Sequence, residues 1–215
     1  MHIIHLLATR IRNLYLRHYF DKHNKIGKDV HFSRDTVIGK NCVIGNDVTF
    51  GEKVSLGDNV VIGKGATLER IVVGNGCVIE GKVIITGHGD GMITLGNETF
   101  IGHLTVLDWS ADITIGDYVH IGYSYFWTHS SAKMALNGHS LSDKDDKYRP
   151  RSPITIGNFV YIGVHSTIYP GVNIGDHSLI APNSVVAHDV EPYTMVGGTP
   201  AKYIKSTKDM IIDNG

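Results

Sequence analysis

An apolar residue recurs at every sixth position through the first third of the chain. The series consists of Ile26, Phe32, Ile38, Ile44, Phe50, Leu56, Ile62 and Leu68. Glycine follows most of these anchors, at positions 27, 39, 45, 51, 57 and 63. Because glycine ordinarily fills roughly 7 % of positions, six glycines at one repeat position indicate a structural period.

A period of six predicts a chain that turns a corner after each short strand. Side chains alternate across a strand, so the anchor and a smaller residue four positions later, such as Val48 or Val60, both point inward. The glycine beside each anchor is expected to permit the backbone geometry of a tight corner. Three hexads then form one triangular coil, and successive coils stack as parallel strands.

The period is interrupted and resumes along the rest of the chain. Gaps near 69–72, 87–92 and 108–112 indicate short loops at corners, and the anchors continue to Val186. Trp127 follows Ile121 in the anchor series, so its side chain is expected to be buried. Residues 130–152 are polar and charged with little hexad signal, which predicts a long loop of the kind that is usually functional or disordered.

The predicted fold is an all-β, left-handed parallel β-helix of hexapeptide repeats with a short N-terminal helix and one protruding loop. Three regions follow: a helical cap at 1–24, the β-helix at 25–198 and a tail at 199–215. The helical stripe of the cap consists of Ile4, Leu7, Ile11, Leu14 and His18. This helix is expected to cover the open end of the solenoid. Arginines within residues 1–20 leave open a basic amphipathic helix on a membrane surface.

Composition and charge narrow the class of protein. The chain has 215 residues with a formal net charge of -1 and a pI near 6.9, which does not favour a nucleic-acid partner. No apolar run reaches the ~18 residues of a membrane-spanning helix, and the opening segment lacks a signal-peptide pattern. Two cysteines, Cys42 and Cys77, fit buried, reduced positions. We therefore expect a cytoplasmic protein.

His129 is the residue most suited to catalysis. It stands where the regular repeat gives way to the long loop, so its ring is expected to reach a cleft beside the coil. An imidazole can take a proton from a hydroxyl near neutral pH, as acyl transfer from a thioester to an alcohol requires. Because the chain has 13 histidines, the position alone leaves an idle surface histidine as the alternative.

The hexads, the loop after a Thr-His pair and the stretch 153–205 (PITIGNFVYIG…GGTPAKYIK) together resemble the bacterial hexapeptide-repeat acetyltransferases. The group concerned contains galactoside, maltose, nodulation-factor and xenobiotic acetyltransferases. The resemblance implies acetyl-CoA as the acyl donor, His129 as general base and direct transfer in a ternary complex without a metal. It also implies a homotrimer with active sites between subunits.

The same resemblance implies a set of coenzyme-binding residues. These are Gly163, Val164, Ala181, Pro182, Lys202 and Lys205. The two lysines stand where many relatives carry arginine, and a lysine neutralises a phosphate as a point charge without the bidentate fork. Solvated tail lysines are the alternative. Tyr161 also departs from the family, in which tryptophan is common at this position.

The acceptor is expected to meet Asp108, Tyr123, Arg149 and Arg151. Asp108 matches a family position that faces the acceptor; a carboxylate there can bind a sugar hydroxyl or orient the histidine, and a turn residue is the alternative. We expect O-acetylation of a carbohydrate hydroxyl. N-acetylation of an amino sugar, possibly nucleotide-linked, and acetylation of a drug stay open.

Two other classes are less well supported by the residues. A zinc β-helix needs three converging histidines, with a pair five residues apart, but Tyr125 follows His120 at that distance and Pro170 follows His165. A structural, non-catalytic β-helix needs neither the long loop nor the coenzyme-like tail, and it would not bind acetyl-CoA.

Overall fold

The computed structural model describes residues 15–16, 18–20, 22–140 and 146–212. In this part of the chain, 24 short strands form three sheets that wrap into a solenoid of about nine turns. We name the sheets A, B and C in the order in which the chain visits them within a coil. All strand pairs are parallel except the last pair of sheet A. The predicted left-handed parallel β-helix is confirmed.

Sheet A has ten strands and runs the length of the solenoid. In spatial order they are β1 (Lys25–Ile26), β3 (Val43–Ile44), β6 (Val61–Ile62), β9 (Val78–Ile79), β12 (Phe100–Ile101), β15 (His120–Ile121), β18 (Tyr161–Ile162), β21 (Leu179–Ile180), β23 (Thr194–Gly197) and β24 (Lys202–Ser206). The antiparallel strand β24 closes the C-terminal end of the sheet.

Sheets B and C have seven strands each. Sheet B contains β4 (Thr49–Phe50), β7 (Thr67–Leu68), β10 (Ile84–Thr86), β13 (Val106–Asp108), β16 (Tyr125–Phe126), β19 (Thr167–Ile168) and β22 (Val185–Val186). Sheet C contains β2 (Val37–Ile38), β5 (Val54–Leu56), β8 (Ile71–Val73), β11 (Ile93–Leu95), β14 (Ile113–Ile115), β17 (Ile154–Ile156) and β20 (Asn173–Ile174).

A regular coil is three hexads long, as the period predicts. Contacts between equivalent positions of neighbouring coils join residues 18 apart, such as Lys40 and Asp58. The separation becomes 22 between Asn75 and Asn97, across the gap at 87–92. It becomes 41 between Asp117 and Asn158, across the long loop. The interruptions of the hexad pattern are therefore insertions at corners, and the stack continues past them.

Helical segments are few in the described residues. The α-helix α1 (Ala132–Leu136) and a 3-10 turn (Asp146–Tyr148) lie in the long loop, and a second 3-10 turn (Lys208–Met210) follows β24. Residues 15–16 and 18–20 are helical; the rest of the predicted cap stripe falls on residues 1–14, outside the described part. None of the described helices is long and apolar enough to cross a membrane.

The interior of the solenoid is a single column of apolar side chains. The anchors fill it with bulky residues such as Ile62 and Leu68, which are at most 1 % exposed, and the positions four residues later add smaller ones such as Ala66. Cys42 and Cys77 lie among them, at 1 % and 0 % exposed. Burial raises the pKa of both thiols, so neither sulfur is available as a thiolate nucleophile.

Glycine is needed beside the anchors for a different reason from the predicted one. Gly45 and Gly57 do not have a left-handed φ; a β-carbon on Gly45 would stand 2.6 Å from the backbone nitrogen of Lys64 in the next coil. The corner positions with positive φ belong to other residues, such as Asn41 and Asn59. The expected strained corner at these glycines is therefore wrong: glycine is required because neighbouring coils approach closely.

Two alanine substitutions separate close approach from backbone strain. Gly45→Ala is expected to lower the free energy of unfolding by about 3 kcal/mol, because its β-carbon must push two coils apart. Gly65→Ala is expected to cost about 1 kcal/mol, because Gly65 has a φ of +69° but its β-carbon would find its nearest atom at 3.8 Å. Urea unfolding of both variants measures the difference, and equal losses would contradict this explanation.

Candidate active site

His129 lies just after strand β16 of sheet B, where the long loop begins. The loop leaves and returns at the same corner: the Ser130 N–H donates to the Pro150 carbonyl at 3.2 Å, and the Ser152 N–H donates to the Thr128 carbonyl at 2.9 Å. His129 and Arg151 form an antiparallel bridge between these two segments. The strand-to-loop junction predicted for His129 is therefore present, and the returning loop fixes its backbone.

Asp108 ends the preceding strand of sheet B and contacts His129 from the coil below. Its Oδ2 lies 2.6 Å from the His129 Nδ1. The same oxygen accepts the Thr128 N–H at 2.9 Å, while Oδ1 accepts the Ser110 hydroxyl at 2.6 Å and the Ser110 N–H at 3.0 Å. Both carboxylate oxygens are thus held by donors, and the aspartate is fixed in position.

These hydrogen bonds keep Asp108 ionised although it is buried. Burial alone raises the pKa of Asp108, but the hydrogen bonds from Ser110, His129 and Thr128 together lower it below its ordinary value of 3.8. A carboxylate has no proton to donate, so the proton between the two groups lies on Nδ1. Among the described residues, none occupies the His129 Nε2 as a hydrogen-bond partner, which leaves this nitrogen able to accept a proton.

The Asp108 side chain faces His129, and its predicted contact with the acceptor stays a prediction. The Asp108 side chain is 1 % exposed, against 18 % for His129, so the imidazole lies between the carboxylate and the outside. Of the two roles open to a carboxylate at this position, the geometry fits the orientation of His129. Asp108 directly follows the inward anchor Leu107 at the end of β13.

His88, Ser110 and Thr128 also belong to this cluster, and the hexad period predicts none of the three. The His88 ring packs against the His129 ring, with centroids 4.4 Å apart and an interplanar angle of 80°. Ser110 contacts the same residue, since its Oγ accepts the backbone N–H of His88 at 3.0 Å. The sequence signal for this contact is the motif GHGDG at 87–91, inside a gap of the repeat.

An outward row of aromatic side chains runs along sheet B to His129. Tyr123, Tyr125 and Trp127 follow one another at alternate positions, and the Tyr123 and Tyr125 hydroxyls share a hydrogen bond. The expected burial of Trp127 is wrong: it is 37 % exposed, and Phe126 takes the inward position at 0 %. The corner before β16 is one residue short of a hexad, which moves the anchor from 127 to 126.

The structure places the other predicted acceptor residues at different distances from the base. Arg151 pairs with His129 through the backbone, and the Arg149 Nε contacts the buried Met134 Sδ on α1. Tyr123 lies six residues before His129, which is roughly 20 Å along an extended strand. Its ring packs instead against His165, at 4.9 Å between centroids. The backbone of Arg151 therefore lies beside the base, whereas Arg149 contacts α1 and Tyr123 packs against His165.

The predicted coenzyme residues come together on the corner between sheets A and B. Gly163 follows β18 and Ala181 follows β21; Pro182 covers Gly163 so closely that a β-carbon there would lie 2.5 Å from the Pro182 nitrogen. Val164 and Pro182 are exposed. On the closing strand, Lys202 pairs with Gly197 and Lys205 with Met195, and both lysines are exposed. This corner precedes β19, whereas His129 follows β16, so in one chain they lie at opposite ends of the strands of sheet B.

No convergent set of metal ligands is found within the described residues: no three His, Cys, Asp or Glu side chains come together. The Asp108–His129 pair is joined by hydroxyl and backbone donors, which match neither the ligand number nor the ligand types of a zinc site.

Replacing the buried carboxylate should change how stability depends on pH. Because the folded-state pKa of Asp108 is depressed, its contribution is present above its unfolded pKa and is lost as pH falls through the folded value. Asp108→Asn is expected to cost about 1–3 kcal/mol of unfolding free energy at pH 7, and less below pH 3.8. Urea titrations at both pH values measure this. The control is Asp112→Asn, an exposed aspartate that accepts the Met92 N–H; a pH-independent loss for Asp108→Asn would contradict the assignment.

Two family models match the repeats. The model described as bacterial transferase hexapeptide (six repeats) matches residues 153–188. The model described as hexapeptide repeat of succinyl-transferase matches residues 35–70 and 53–87.

Several proteins of known identity are similar to the chain. Galactoside O-acetyltransferase of Escherichia coli is 36 % identical over 111 residues, which are 50 % of this chain and 50 % of the relative. A chloramphenicol acetyltransferase of Escherichia coli is 39 % identical over 85 residues, 39 % of this chain and 40 % of the relative. The chain thus spans half or less of the length of these curated relatives.

A solved hexapeptide-repeat acetyltransferase from Vibrio cholerae, in complex with acetyl coenzyme A, is 34 % identical to the chain, with 70 % of this chain and 72 % of that one covered and a TM-score of 0.48. The sequence identity to this relative extends over most of both chains. The repeat models match segments in both halves of the solenoid. The chain belongs to the hexapeptide-repeat acetyltransferase family.

Proposed function

We propose that the protein transfers the acetyl group of acetyl-CoA to a hydroxyl of a carbohydrate. The observation that carries this proposal is the 2.6 Å contact between the Asp108 Oδ2 and the His129 Nδ1. It fixes the tautomer of a partly exposed imidazole and leaves the Nε2 to accept a proton. A histidine oriented by a carboxylate is an arrangement that suits general-base catalysis on a hydroxyl.

In the proposed reaction, the His129 Nε2 removes the proton of the acceptor hydroxyl as its oxygen attacks the acetyl carbonyl. The new C–O bond forms and the C–S bond of the thioester breaks. The ionised Asp108 stabilises the imidazolium that forms in between, and the proton then passes to the thiolate of CoA. A backbone N–H would stabilise the oxyanion of the tetrahedral intermediate. Because the thiols of Cys42 and Cys77 are buried, transfer is direct.

For the acyl donor, the proposal places the pantetheine arm on the corner of Gly163, Val164, Ala181 and Pro182. Exposed Val164 and Pro182 offer apolar surface there. Lys202 and Lys205 would neutralise the nucleotide phosphates. The relative from Vibrio cholerae, solved with acetyl coenzyme A, supports this donor.

For the acceptor, the galactoside relative favours a sugar hydroxyl, and Arg149 and Arg151 would favour an acceptor with anionic groups. Acetylation of a drug is the second candidate, favoured by the chloramphenicol relative and by the aromatic row that ends at Trp127. N-acetylation of an amino sugar uses the same base. A panel of sugars, amino sugars and drugs, followed by thiol release from acetyl-CoA, distinguishes the three.

We also propose a homotrimer with active sites between subunits. In one chain, the base and the predicted coenzyme residues lie at opposite ends of the strands of sheet B. A neighbouring copy would bring the coenzyme corner of one subunit beside the base of the next, and the loop at 130–152 would extend towards it. Cyclic closure is a common solution for such a heterologous interface.

Removing the base tests the proposed chemistry. His129→Ala is expected to lower turnover by roughly 10²–10⁴-fold, the usual contribution of a positioned general base, while acetyl-CoA affinity stays near that of the wild type. Thiol release measures turnover, and calorimetric titration measures affinity.

His139→Ala is the matched control, since His139 lies on the same loop with its ring against Tyr148, at 3.6 Å between centroids. It is expected to retain far more activity than His129→Ala. Similar losses in both variants would indicate collapse of the loop, and near-normal turnover of His129→Ala would exclude this histidine as the base.

The trimer is tested by sedimentation of the purified protein with and without acetyl-CoA. The expected species has three times the chain mass of 23.6 kDa. A monomer that still turns over acetyl-CoA at a rate proportional to its concentration would contradict a site shared between subunits.

A further inference from the structure

The short loop between β10 and β11 has an unusual composition for a corner. Residues 87–91 read GHGDG, so glycines alternate with the two polar side chains of His88 and Asp90. This loop is one coil away from the Asp108 corner, because Thr86 pairs with Asp108. It is one of the interruptions of the hexad repeat, and the proposed acetyl transfer does not account for it.

The glycines allow the loop to lie flat against the catalytic corner. A β-carbon on Gly87 would stand 2.8 Å from the Ser110 nitrogen and 2.9 Å from the Asp108 Oδ1. A β-carbon on Gly89 would collide with the Ser110 carbonyl oxygen. Because no larger residue fits at either position, the backbone on both sides of His88 has a fixed distance from Asp108 and Ser110.

Hydrogen bonds connect His88 to the carboxylate of the proposed base pair. The His88 N–H donates to the Ser110 Oγ at 3.0 Å, and the Ser110 hydroxyl donates in turn to the Asp108 Oδ1 at 2.6 Å. The His88 Nδ1 lies 3.4 Å from the same Ser110 Oγ. Ser110 therefore holds the backbone of His88 and the carboxylate of Asp108 together.

The His88 ring then packs against His129. The two centroids are 4.4 Å apart at an interplanar angle of 80°, while Trp127 contacts His129 at 6.5 Å and 86°. Asp108 holds the Nδ1 edge of His129 through one hydrogen bond. The His88 contact adds a second constraint, on the plane of the same ring.

We propose that His88 is a positioning residue that acts through His129: its ring fixes the plane of the imidazole so that the Nε2 faces the acceptor. This inference rests on the proposed acetyl transfer. Holding a base within hydrogen-bond geometry of its proton is worth a large rate factor, because small misplacements of reacting atoms are costly.

The charges around His88 indicate that it acts as a neutral ring. The groups that face it are His129, Arg149, Arg151 and Asp108. The pKa of His88 is lowered, first by partial desolvation of its ring and then by electrostatic interactions with His129 and the two arginines, while Asp108 acts in the opposite direction. A neutral aromatic ring is therefore what contacts His129 near pH 7, and phenylalanine should replace it.

The experiment is a double-mutant cycle on kcat with the acceptor found active in the panel. His88→Ala is expected to lower kcat by about 10- to 100-fold with KM for acetyl-CoA unchanged, and His88→Phe is expected to stay near the wild type because the ring contact remains. In the His129→Ala background, His88→Ala should change the residual rate by less than about twofold. Asp90→Ala, on the same loop, is the control with full activity.

A readout independent of turnover separates this inference from the proposed function. The Nδ1 proton of His129, followed by NMR, should exchange with water faster in His88→Ala than in the wild type or His88→Phe. Unchanged exchange, or an equal loss of kcat with and without His129, would overturn the positioning role. If the wild type acetylates no acceptor but the exchange rates differ as expected, the proposed function fails and the contact between the two histidines stands.

Discussion

Asp108 and His129 are in contact although they are 21 positions apart in the sequence. One turn of the solenoid separates them along the chain, so they lie on adjacent coils. The stacking of coils is the constraint on which the site depends. Parallel pairing places Val106 beside Tyr125 and Leu107 beside Phe126, which leaves the residues that follow, Asp108 and Thr128–His129, at one corner. Ser110 joins the same corner from the coil of Asp108, and His88 joins it from the coil before.

The close approach of coils also explains why the site is rigid. At Gly45 and Gly87 a β-carbon would overlap the backbone of the next coil, so the spacing between coils is set by glycine along the solenoid and again at the catalytic corner. A carboxylate buried to 1 % exposure would be costly without partners. The donors of Ser110, Thr128 and His129 supply those partners, and the charge is kept where it can orient an imidazole.

The period of six predicted the fold because it is a local signal repeated many times. Gaps in the period at 87–92 and 130–152 also gave the positions of the two loops that form the site, and His129 followed from the second gap. Other features are non-local and could not be derived this way. Phe126 replaces Trp127 inside because one corner is a residue short, and the role of Gly45 depends on Lys64 in another coil. The contact of His88 with His129 needs the pairing of three successive coils.

The central claim is that Asp108 holds His129 as the Nδ1–H tautomer with its Nε2 unprotonated. Nitrogen-15 NMR of the imidazole at pH 7, assigned by its loss in His129→Ala, measures this directly. The predicted result is a proton on Nδ1 that moves upfield in Asp108→Asn, together with an Nε2 shift typical of an unprotonated nitrogen. A proton on Nε2, or a spectrum that does not respond to Asp108→Asn, would contradict the account.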